Sequence, residues 1–265
     1  MADSGNRAED YIVEMDGVSK HFGEVVALED VDFQLRRNEV LALAGDNGAG
    51  KSTLIKCLAG ALQPTSGTIR VDGEEVEIDN PRVAKDLGIE TTFQDLAVAG
   101  NLTVTQNIFL GREQVNGPNS LLGVLDKSSM RKRAQELLDD LEIDVDVDAK
   151  VSNLSGGERQ LVSISRTMLS DPKIVIMDEP TSALSVEGAD RVLNLIERMQ
   201  SQGISIILIS HNLEYIQQAA DRIQVLHQGR SAGVIKNADI DRDEIVKRMI
   251  GGMPDEERSE PAADA

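Results

Sequence analysis

The chain of 265 residues carries 46 acidic against 27 basic residues, which gives a formal net charge of −19. A negative field of this strength repels nucleic acid and anionic membrane surfaces, so direct binding to either is not expected. The single cysteine, Cys57, excludes an internal disulfide, and the longest apolar runs, such as Ile204–Ile209, are far shorter than the roughly 20 residues of a membrane span.

Two explanations fit the acidic surplus. The acids are spread along the whole chain and lysine is scarcer than arginine, as in a protein that stays soluble in a high-salt cytoplasm where salt screens its charges. An ordinary acidic protein has the same composition. The halophilic interpretation is therefore a hypothesis, which thermal melting in potassium chloride tests.

The first part of the chain alternates short strands with helices. Runs rich in apolar and β-branched residues predict strands at Tyr11–Met15, Val25–Phe33, Val40–Ala44, Gly67–Val71 and Gly88–Phe93. Helical spacing of apolar residues predicts helices at Lys51–Ala61 and Pro81–Asp86. Residues from about 96 to 165 are mostly helical in pattern, and we expect them to form a helical subdomain inserted into a sheet protein.

The later part continues this alternation. Its predicted helices are Ser128–Leu141, Glu158–Leu169, Val186–Gln200, Leu213–Ala219 and Arg242–Ile250, and its predicted strands are Ile174–Met177, Ile204–Ile209, Ile223–His227 and a final pair around Gly229–Ile235. Nearly all-apolar strands indicate a parallel sheet that helices cover on both faces. The chain is therefore predicted to be an α/β protein with the early strands in a smaller antiparallel layer. We expect one domain over residues 10–251, a disordered N-terminus over 1–9 and a disordered acidic tail over 252–265.

The segment after the strand Val40–Ala44 fits the phosphate-loop pattern G-x-x-x-x-G-K-[ST] at every defined position. Its residues are Gly45, Asp46, Asn47, Gly48, Ala49, Gly50, Lys51 and Ser52. The glycines let backbone N–H groups curl around phosphate oxygens, and the helix that opens at Lys51 adds a partial positive charge. We expect Lys51 to reach the β- and γ-phosphates of ATP, Ser52 to ligate Mg²⁺, and Thr53 to help hold an α-phosphate oxygen.

Two adjacent acids, Asp178 and Glu179, end the apolar strand Ile174–Met177. Burying two carboxylates beside a core is costly unless a cation or an ordered water compensates for the lost hydration. We assign Asp178 to the Mg²⁺ shell and Glu179, as the catalytic residue, to the attacking water. Two solvated acids at a strand end are the simpler alternative.

Gln94 and His211 directly follow two other predicted strands. The amide of Gln94 is suited to contact both the metal and the catalytic water, and His211 is suited to sense or polarise the γ-phosphate. Either residue alone is weak support, because a glutamine or histidine at a strand end is often structural. His21 and His227 are interpreted as surface or packing residues.

A second motif, which contains two adjacent glycines, distinguishes this chain from phosphate-loop proteins in general. The sequence LSGGE at 154–158 stands shortly before the acidic strand, IVIMDE at 174–179. Together with the phosphate loop, Gln94 and His211, it resembles the ATP-binding subunits of ABC transporters over about residues 10–250. The resemblance implies an ATPase with the P-loop NTPase fold, a RecA-like core that carries an antiparallel β-subdomain and an inserted helical subdomain.

The same resemblance implies an active site shared between two chains. Ser155, Gly156, Gly157 and Glu158 of one chain would cap the γ-phosphate of ATP held by the partner's phosphate loop. A Ser-Gly-Gly turn that opens a helix supports this role, because it is itself an anion site. The partner would be a second copy or a similar ATPase subunit. Phe22 matches the aromatic residue that stacks on adenine, with core packing as its alternative role.

The resemblance further implies a peripheral place at the cytoplasmic face of the membrane, where ABC ATPases drive transmembrane permease subunits. We expect the permease contact at residues 95–111. The sequence IFLGRE at 108–113, and Ser185 where the family usually has aspartate, look like the ribose- and xylose-type sugar importers. A separate extracytoplasmic substrate-binding protein would then deliver the sugar.

Other functions stay open on the residues. The chain is compatible with an importer of branched-chain amino acids or with an exporter. A soluble ABC ATPase of DNA repair or translation is a further possibility, and the acidic charge and the lack of a basic linker argue against it. A binding module that does not hydrolyse ATP is opposed by Glu179 and His211.

Overall fold

The computed structural model describes residues 11–92, 98–115, 124–182, 184–236 and 242–251. Six strands form the central sheet: β3 (Val40–Ala44), β6 (Ile89–Thr92), β7 (Ile174–Asp178), β8 (Ser205–Ile209), β9 (Arg222–His227) and β10 (Arg230–Lys236). Their order across the sheet is β10-β9-β3-β8-β7-β6. Every neighbouring pair is parallel except β9 with β10, which form an antiparallel hairpin at one edge.

Both faces of this sheet are covered, as the apolar sequences of its strands predict. In β3, Val40, Ala42 and Ala44 belong to one buried cluster, whereas Leu41 and Leu43 belong to a second cluster. The first cluster includes residues of helices α4 (Lys127–Asp140), α5 (Gly156–Ser165), α6 (Val186–Ser201), α7 (Leu213–Ala219) and α8 (Arg242–Gly251). The second includes residues of α1 (Lys51–Leu58), α2 (Pro81–Asp86) and a second sheet.

The second sheet is antiparallel, and its strands are β1 (Tyr11–Phe22), β2 (Val25–Arg36), β4 (Ser66–Val71) and β5 (Glu74–Glu75), in the order β2-β1-β4-β5. Strand β1 extends to Phe22, so its predicted end at Met15 is wrong. Irregular pairing between β1 and β2 and the positive φ of Gly17 interrupt the alternation of inward and outward side chains. An interrupted alternation hides the rest of the strand from a period-two pattern.

The described chain between β6 and β7 contains helices joined by loops. They are α3 (Val104–Ile108), α4, α5 and short 3₁₀ turns at Val151–Asn153 and Arg166–Ser170. At five residues α3 is too short to show a helical period, yet Thr103 and Gln106 form a capping box that starts it. With helices inserted into a sheet protein and an antiparallel layer beside it, the predicted fold class is confirmed.

Several predictions concern residues outside the described ranges. Phe93, Gln94, residues 95–97 and the two terminal segments belong to this group. Among the helices that the structure describes, none combines the length and the apolar character needed to cross a membrane.

Candidate active site

Three predicted site segments meet at one edge of the central sheet. The phosphate loop follows β3, Glu179 follows β7, and His211 lies just beyond β8. These strands are parallel neighbours, and Ile209 of β8 pairs with both Leu43 and Asp178. The sheet order therefore brings the phosphate loop to the edge that holds Glu179 and His211, which lie more than 120 positions later in the sequence.

The phosphate loop depends on glycines where other residues would collide. Gly45 has a φ of 151°, and a Cβ there would lie 2.4 Å from the carbonyl oxygen of Leu226. Gly50 has a φ of 103° and stands at the N-cap of α1, where no side chain caps the helix. The first N–H groups of α1 therefore have no side-chain acceptor at the cap, which suits an anion.

Lys51 folds back over the loop. Its Nζ donates to the carbonyl oxygen of Gly45 at 2.5 Å and to that of Asp46 at 3.1 Å. Burial lowers the pKa of Lys51, while the negative charges of Glu179, Asp46 and Asp178 act in the opposite direction. The ammonium group thus lies in the field of both acids that end β7. Ser52 is exposed in the next position of α1, and Thr53 is half-buried.

Asp178 and Glu179 are both partly buried at the end of β7. Burial raises the pKa of the Asp178 carboxyl, and the neighbouring charge of Glu179 raises it further, whereas Lys51 lowers it. Glu179 has a positive φ of 52°, and its N–H donates to the carbonyl oxygen of Ile209 at 2.9 Å. A non-glycine residue in this backbone region is uncommon and is typical of functional sites.

The Glu179 carboxylate lies beside His211. The distance between His211 Nδ1 and Glu179 Oε2 is 2.8 Å, with the histidine exposed and the carboxylate only 14 % exposed. This contact lacks hydrogen-bond geometry, so within the described residues Oε2 is a buried oxygen without a hydrogen bond. Such oxygens are rare because each loses its hydration without replacement. The exposed His211 ring lies against this oxygen, so a water or a ligand would reach it only after the ring moves.

The LSGGE residues start α5. The Ser155 hydroxyl accepts the N–H of Glu158 at 3.2 Å, and the Glu158 carboxylate accepts the N–H of Ser155 at 2.7 Å. These two bonds form a capping box. The bond from the Ser155 N–H is the main reason that the pKa of Glu158 is lowered. The sequence predicted an anion site here, and the structure adds that Glu158 fixes the shape of the turn.

A groove of about 470 Å³ opens between the starts of α5 and α6. Its lining residues are Ser155, Gly156, Gly157, Glu158, Leu184, Ser185, Glu187, Gly188 and Arg191. The two helices approach closely because Gly157 and Gly188 face each other: a Cβ on Gly157 would lie 3.1 Å from the Cα of Gly188. No sequence motif points to Gly188 or Arg191 as site residues. They line the groove because α5 and α6 pack against each other.

Phe22 ends β1 and is 47 % exposed, with the Lys20 ammonium 5.2 Å from its ring centroid. Core packing, its alternative role, is therefore wrong. The neighbouring Val25 and Val26 are also exposed and extend this apolar surface. Sequence reasoning missed the two valines because a strand pattern treats them as ordinary strand residues. The surface adjoins the phosphate loop, because a Cβ on Gly50 would touch Ala27, the next residue of β2.

The described site residues thus form two separate groups, which we call half-sites. One contains Lys51, Asp178, Glu179 and His211 at the strand ends. The other is the groove of Ser155, whose lining residues belong to the starts of α5 and α6 and not to the first half-site. Gln94, predicted to contact metal and water, lies outside the described residues. Among the residues described, no three His, Cys, Asp or Glu side chains form a metal-binding cluster.

Comparison with known proteins identifies similar sequences. The family described as ABC transporter matches residues 28–182. The ribose import ATP-binding protein of Rubrobacter xylanophilus is 41 % identical over 254 residues, which are 94 % of this chain and 50 % of that protein. The chain thus spans about half the length of such relatives. The xylose/arabinose import ATP-binding protein of Sulfolobus acidocaldarius is 41 % identical, over 90 % of this chain and 93 % of that protein.

Solved structures of similar fold are ATP-binding cassettes. A nucleotide-free cassette from an ABC transporter superposes with a TM-score of 0.77 at 26 % identity, covering 91 % of this chain and 95 % of that chain. A dimeric cassette in a post-hydrolysis state, bound to ADP and Pi, superposes with a TM-score of 0.69 at 25 % identity, covering 85 % of this chain and 98 % of that chain.

Proposed function

The chain belongs to the ABC transporter family, and from this premise we propose that it is the ATP-hydrolysing, nucleotide-binding subunit of an ABC importer for a sugar. One observation carries the hydrolytic part of the proposal. The buried Glu179 Oε2, without a hydrogen bond, lies at the strand edge that also holds Lys51 and His211. A movement of the exposed His211 ring would let a water reach this carboxylate and give up a proton to it, which is the role of a general base.

Each residue of this half-site has a part in binding the substrate, ATP. Lys51 would exchange its bonds to the carbonyl oxygens of Gly45 and Asp46 for bonds to the β- and γ-phosphates. The uncapped N–H groups of α1 would donate hydrogen bonds to the phosphate oxygens. His211, exposed beside Glu179, would contact the γ-phosphate. Phe22 and the adjacent valines would form the apolar surface under the adenine.

The residues at the end of β7 also fit Mg²⁺. Asp178 is a partly buried carboxylate that is costly to ionise, and an adjacent cation would stabilise its charged form. Asp178, the exposed hydroxyl of Ser52 and the amide of Gln94 are the residues that would hold the ion. When bound, the ion would neutralise charge on the phosphates of ATP.

The separation of the two half-sites supports a dimer. Lys51 is not among the residues that line the groove of Ser155, so we infer that a single ATP uses both when two chains meet head to tail. Ser155, Gly156, Gly157 and Glu158 of one chain would then cap the nucleotide of the other. A similar cassette is dimeric in its post-hydrolysis state. ATP would close the dimer, and hydrolysis would open it.

The transported substrate and the membrane partners are inferred from relatives. Two of these are named for the import of ribose and of xylose or arabinose. By analogy, this chain would be held at the cytoplasmic face by transmembrane permease subunits. A separate extracytoplasmic protein would bind the sugar. Co-purification of tagged chain from native membranes tests this part, since a proposal of sugar import requires a permease and a sugar-binding protein among the attached chains.

The substitution Glu179→Gln tests the hydrolytic part. It keeps the size of the side chain and removes the base, so we expect ATP turnover to fall by at least about a hundredfold while ATP binding persists. The variant should accumulate as an ATP-bound dimer, measured by size-exclusion chromatography with light scattering. Glu197→Gln, on the exposed face of α6, is the matched control and should hydrolyse ATP as the wild type does. Turnover at the wild-type rate in Glu179→Gln would refute the assignment.

A further inference from the structure

The turn between β9 and β10 lies directly behind the phosphate loop. It is a two-residue turn in which His227 pairs with Arg230. The central residues, Gln228 and Gly229, have positive φ angles of 48° and 78°, as in the tight turn that suits the twist of a hairpin. Gly229 is buried although Gln228 and Arg230 beside it are exposed, so other parts of the protein cover the glycine of this turn.

Gly229 is hydrogen-bonded through both of its backbone polar groups. Its N–H donates to the carbonyl oxygen of Ala49 at 3.0 Å, and its own carbonyl oxygen accepts the N–H of Glu29 at 2.8 Å. One glycine of the turn therefore connects the phosphate loop to β2. Its two partners lie 180 and 200 positions earlier in the chain.

The contact leaves no space for side chains. A Cβ on Gly229 would lie 2.9 Å from the carbonyl oxygen of Ala27, and a Cβ on Gly50 would lie at the same distance from that oxygen. A Cβ on Gly45 would lie 2.4 Å from the carbonyl oxygen of Leu226. The phosphate loop thus packs on the turn and on β2 by direct backbone contact, which fixes its position closely.

We propose that Gly229 is a positioning residue for the phosphate loop, an inference that rests on the proposed function. The Ala49 carbonyl and the Gly50 N–H belong to one planar trans peptide and point in opposite directions. Because the carbonyl is bonded to Gly229, the Gly50 N–H points away from the turn. In that direction it meets a phosphate oxygen of ATP, and a hydrogen bond to a charged acceptor is stronger than one to a neutral acceptor.

The substitution Gly229→Ala tests this role. The added methyl group collides with β2 and displaces the turn, so the dissociation constant for Mg²⁺-ATP should rise about tenfold, as expected for one lost hydrogen bond to a charged group. A fluorescent ATP analogue measures this constant at a temperature where circular dichroism finds each protein folded. Gly203→Ala is the matched control. Its φ is also positive, at 91°, but the nearest atom to a Cβ is 3.6 Å away, and its affinity should be unchanged.

A second variant covers the case in which Gly229→Ala does not fold. Inserting one glycine after Gln228 lengthens the turn without adding a side chain, and it should weaken ATP binding to a similar extent. Wild-type affinity in the variants that fold overturns the inference even if their melting temperature falls, because a purely structural turn changes stability alone. Equal weakening in Gly203→Ala overturns it as well. A wild-type chain that does not bind Mg²⁺-ATP would instead overturn the proposed function.

Discussion

Ser185 stands where the ABC family usually has aspartate, and its contacts show which structural role the serine keeps. Its hydroxyl oxygen accepts the N–H of Gly188 at 3.2 Å and caps α6. Serine and aspartate are both strong N-caps. The replacement therefore keeps the helix start and removes one negative charge from the groove beside Ser155. In the dimer proposed above, which joins two chains of net charge −19, this loss would reduce repulsion at the interface.

The N-cap role of Ser185 predicts how two substitutions at this position change the free energy of unfolding. Ser185→Ala should lower the free energy of unfolding by about 1 kcal/mol, since the N–H of Gly188 loses its acceptor, whereas Ser185→Asp should lower it by much less. Urea denaturation measures both. Ser201→Ala, at the far end of α6, is the control and should change little, because its exposed hydroxyl only donates to the Arg198 carbonyl oxygen in its own helix. Equal losses in the two Ser185 variants would contradict the role of the cap.

The sequence placed Lys51, Asp178, Glu179 and His211 at or just after the ends of strands, and the role of His211 depended on the family resemblance. The sheet brings these strand ends together because neighbouring parallel strands end at one edge. The role of Gly229 was not predictable in this way. Its contact with Ala49 depends on how β9 aligns with β3, and no local pattern encodes a register between segments so far apart.

Among the elements, the link between β6 and the inserted helices rests on a buried acid. Glu90 of β6 has a side chain only 6 % exposed, and its Oε1 accepts from Arg112 at 2.6 Å and from the Ser170 hydroxyl at 2.8 Å. Arg112 follows α3 and belongs to the IFLGRE sequence at 108–113. The pair therefore holds the start of the inserted region to the strand that leads to Gln94.

Breaking this pair should be costly. Arg112→Met leaves a buried carboxylate without its guanidinium partner, and we expect the free energy of unfolding to fall by about 2 kcal/mol. Arg133→Met is the matched control: its pair with Asp171 is 4.0 Å long and Asp171 is 89 % exposed, so a loss near zero is expected. Urea denaturation of the two variants, measured side by side, decides the matter. A loss as small in Arg112→Met as in the control would mean that Glu90 does not need the guanidinium.

The accuracy of the predicted elements follows their length and burial. The buried strands β3, β7 and β8 end at or within one residue of their predicted limits, because both faces demand apolar residues. Helix α1 ends at Leu58 instead of the predicted Ala61, where the positive φ of Gly60 stops it. Strand β5 has only two residues, too few for any periodic signal.

For the whole molecule, the acidic surplus shapes the surface without disturbing the core. Residues 142–148 illustrate this arrangement. Ile143, Val145 and Val147 are buried, whereas the acids between and beside them, Glu142, Asp144, Asp146 and Asp148, are exposed. Arg198 pairs with Glu142 and Arg131 pairs with Asp148, but four acids within seven residues still repel one another at low ionic strength. The segment that supplies three residues to the core therefore also carries charge repulsion, which added salt would reduce.

Potassium chloride should therefore raise the melting temperature. The Debye length falls from about 10 Å at 0.1 M to about 3 Å at 1 M salt, so repulsion among acids should be largely screened over this range, and the gain should level off at higher concentrations. Circular dichroism melts between low and molar potassium chloride measure it. Sucrose is the control, because an uncharged osmolyte stabilises by exclusion from the surface and gives no plateau set by screening. A melting temperature that does not rise with salt would show that the acidic surface is not an adaptation to a high-salt cytoplasm.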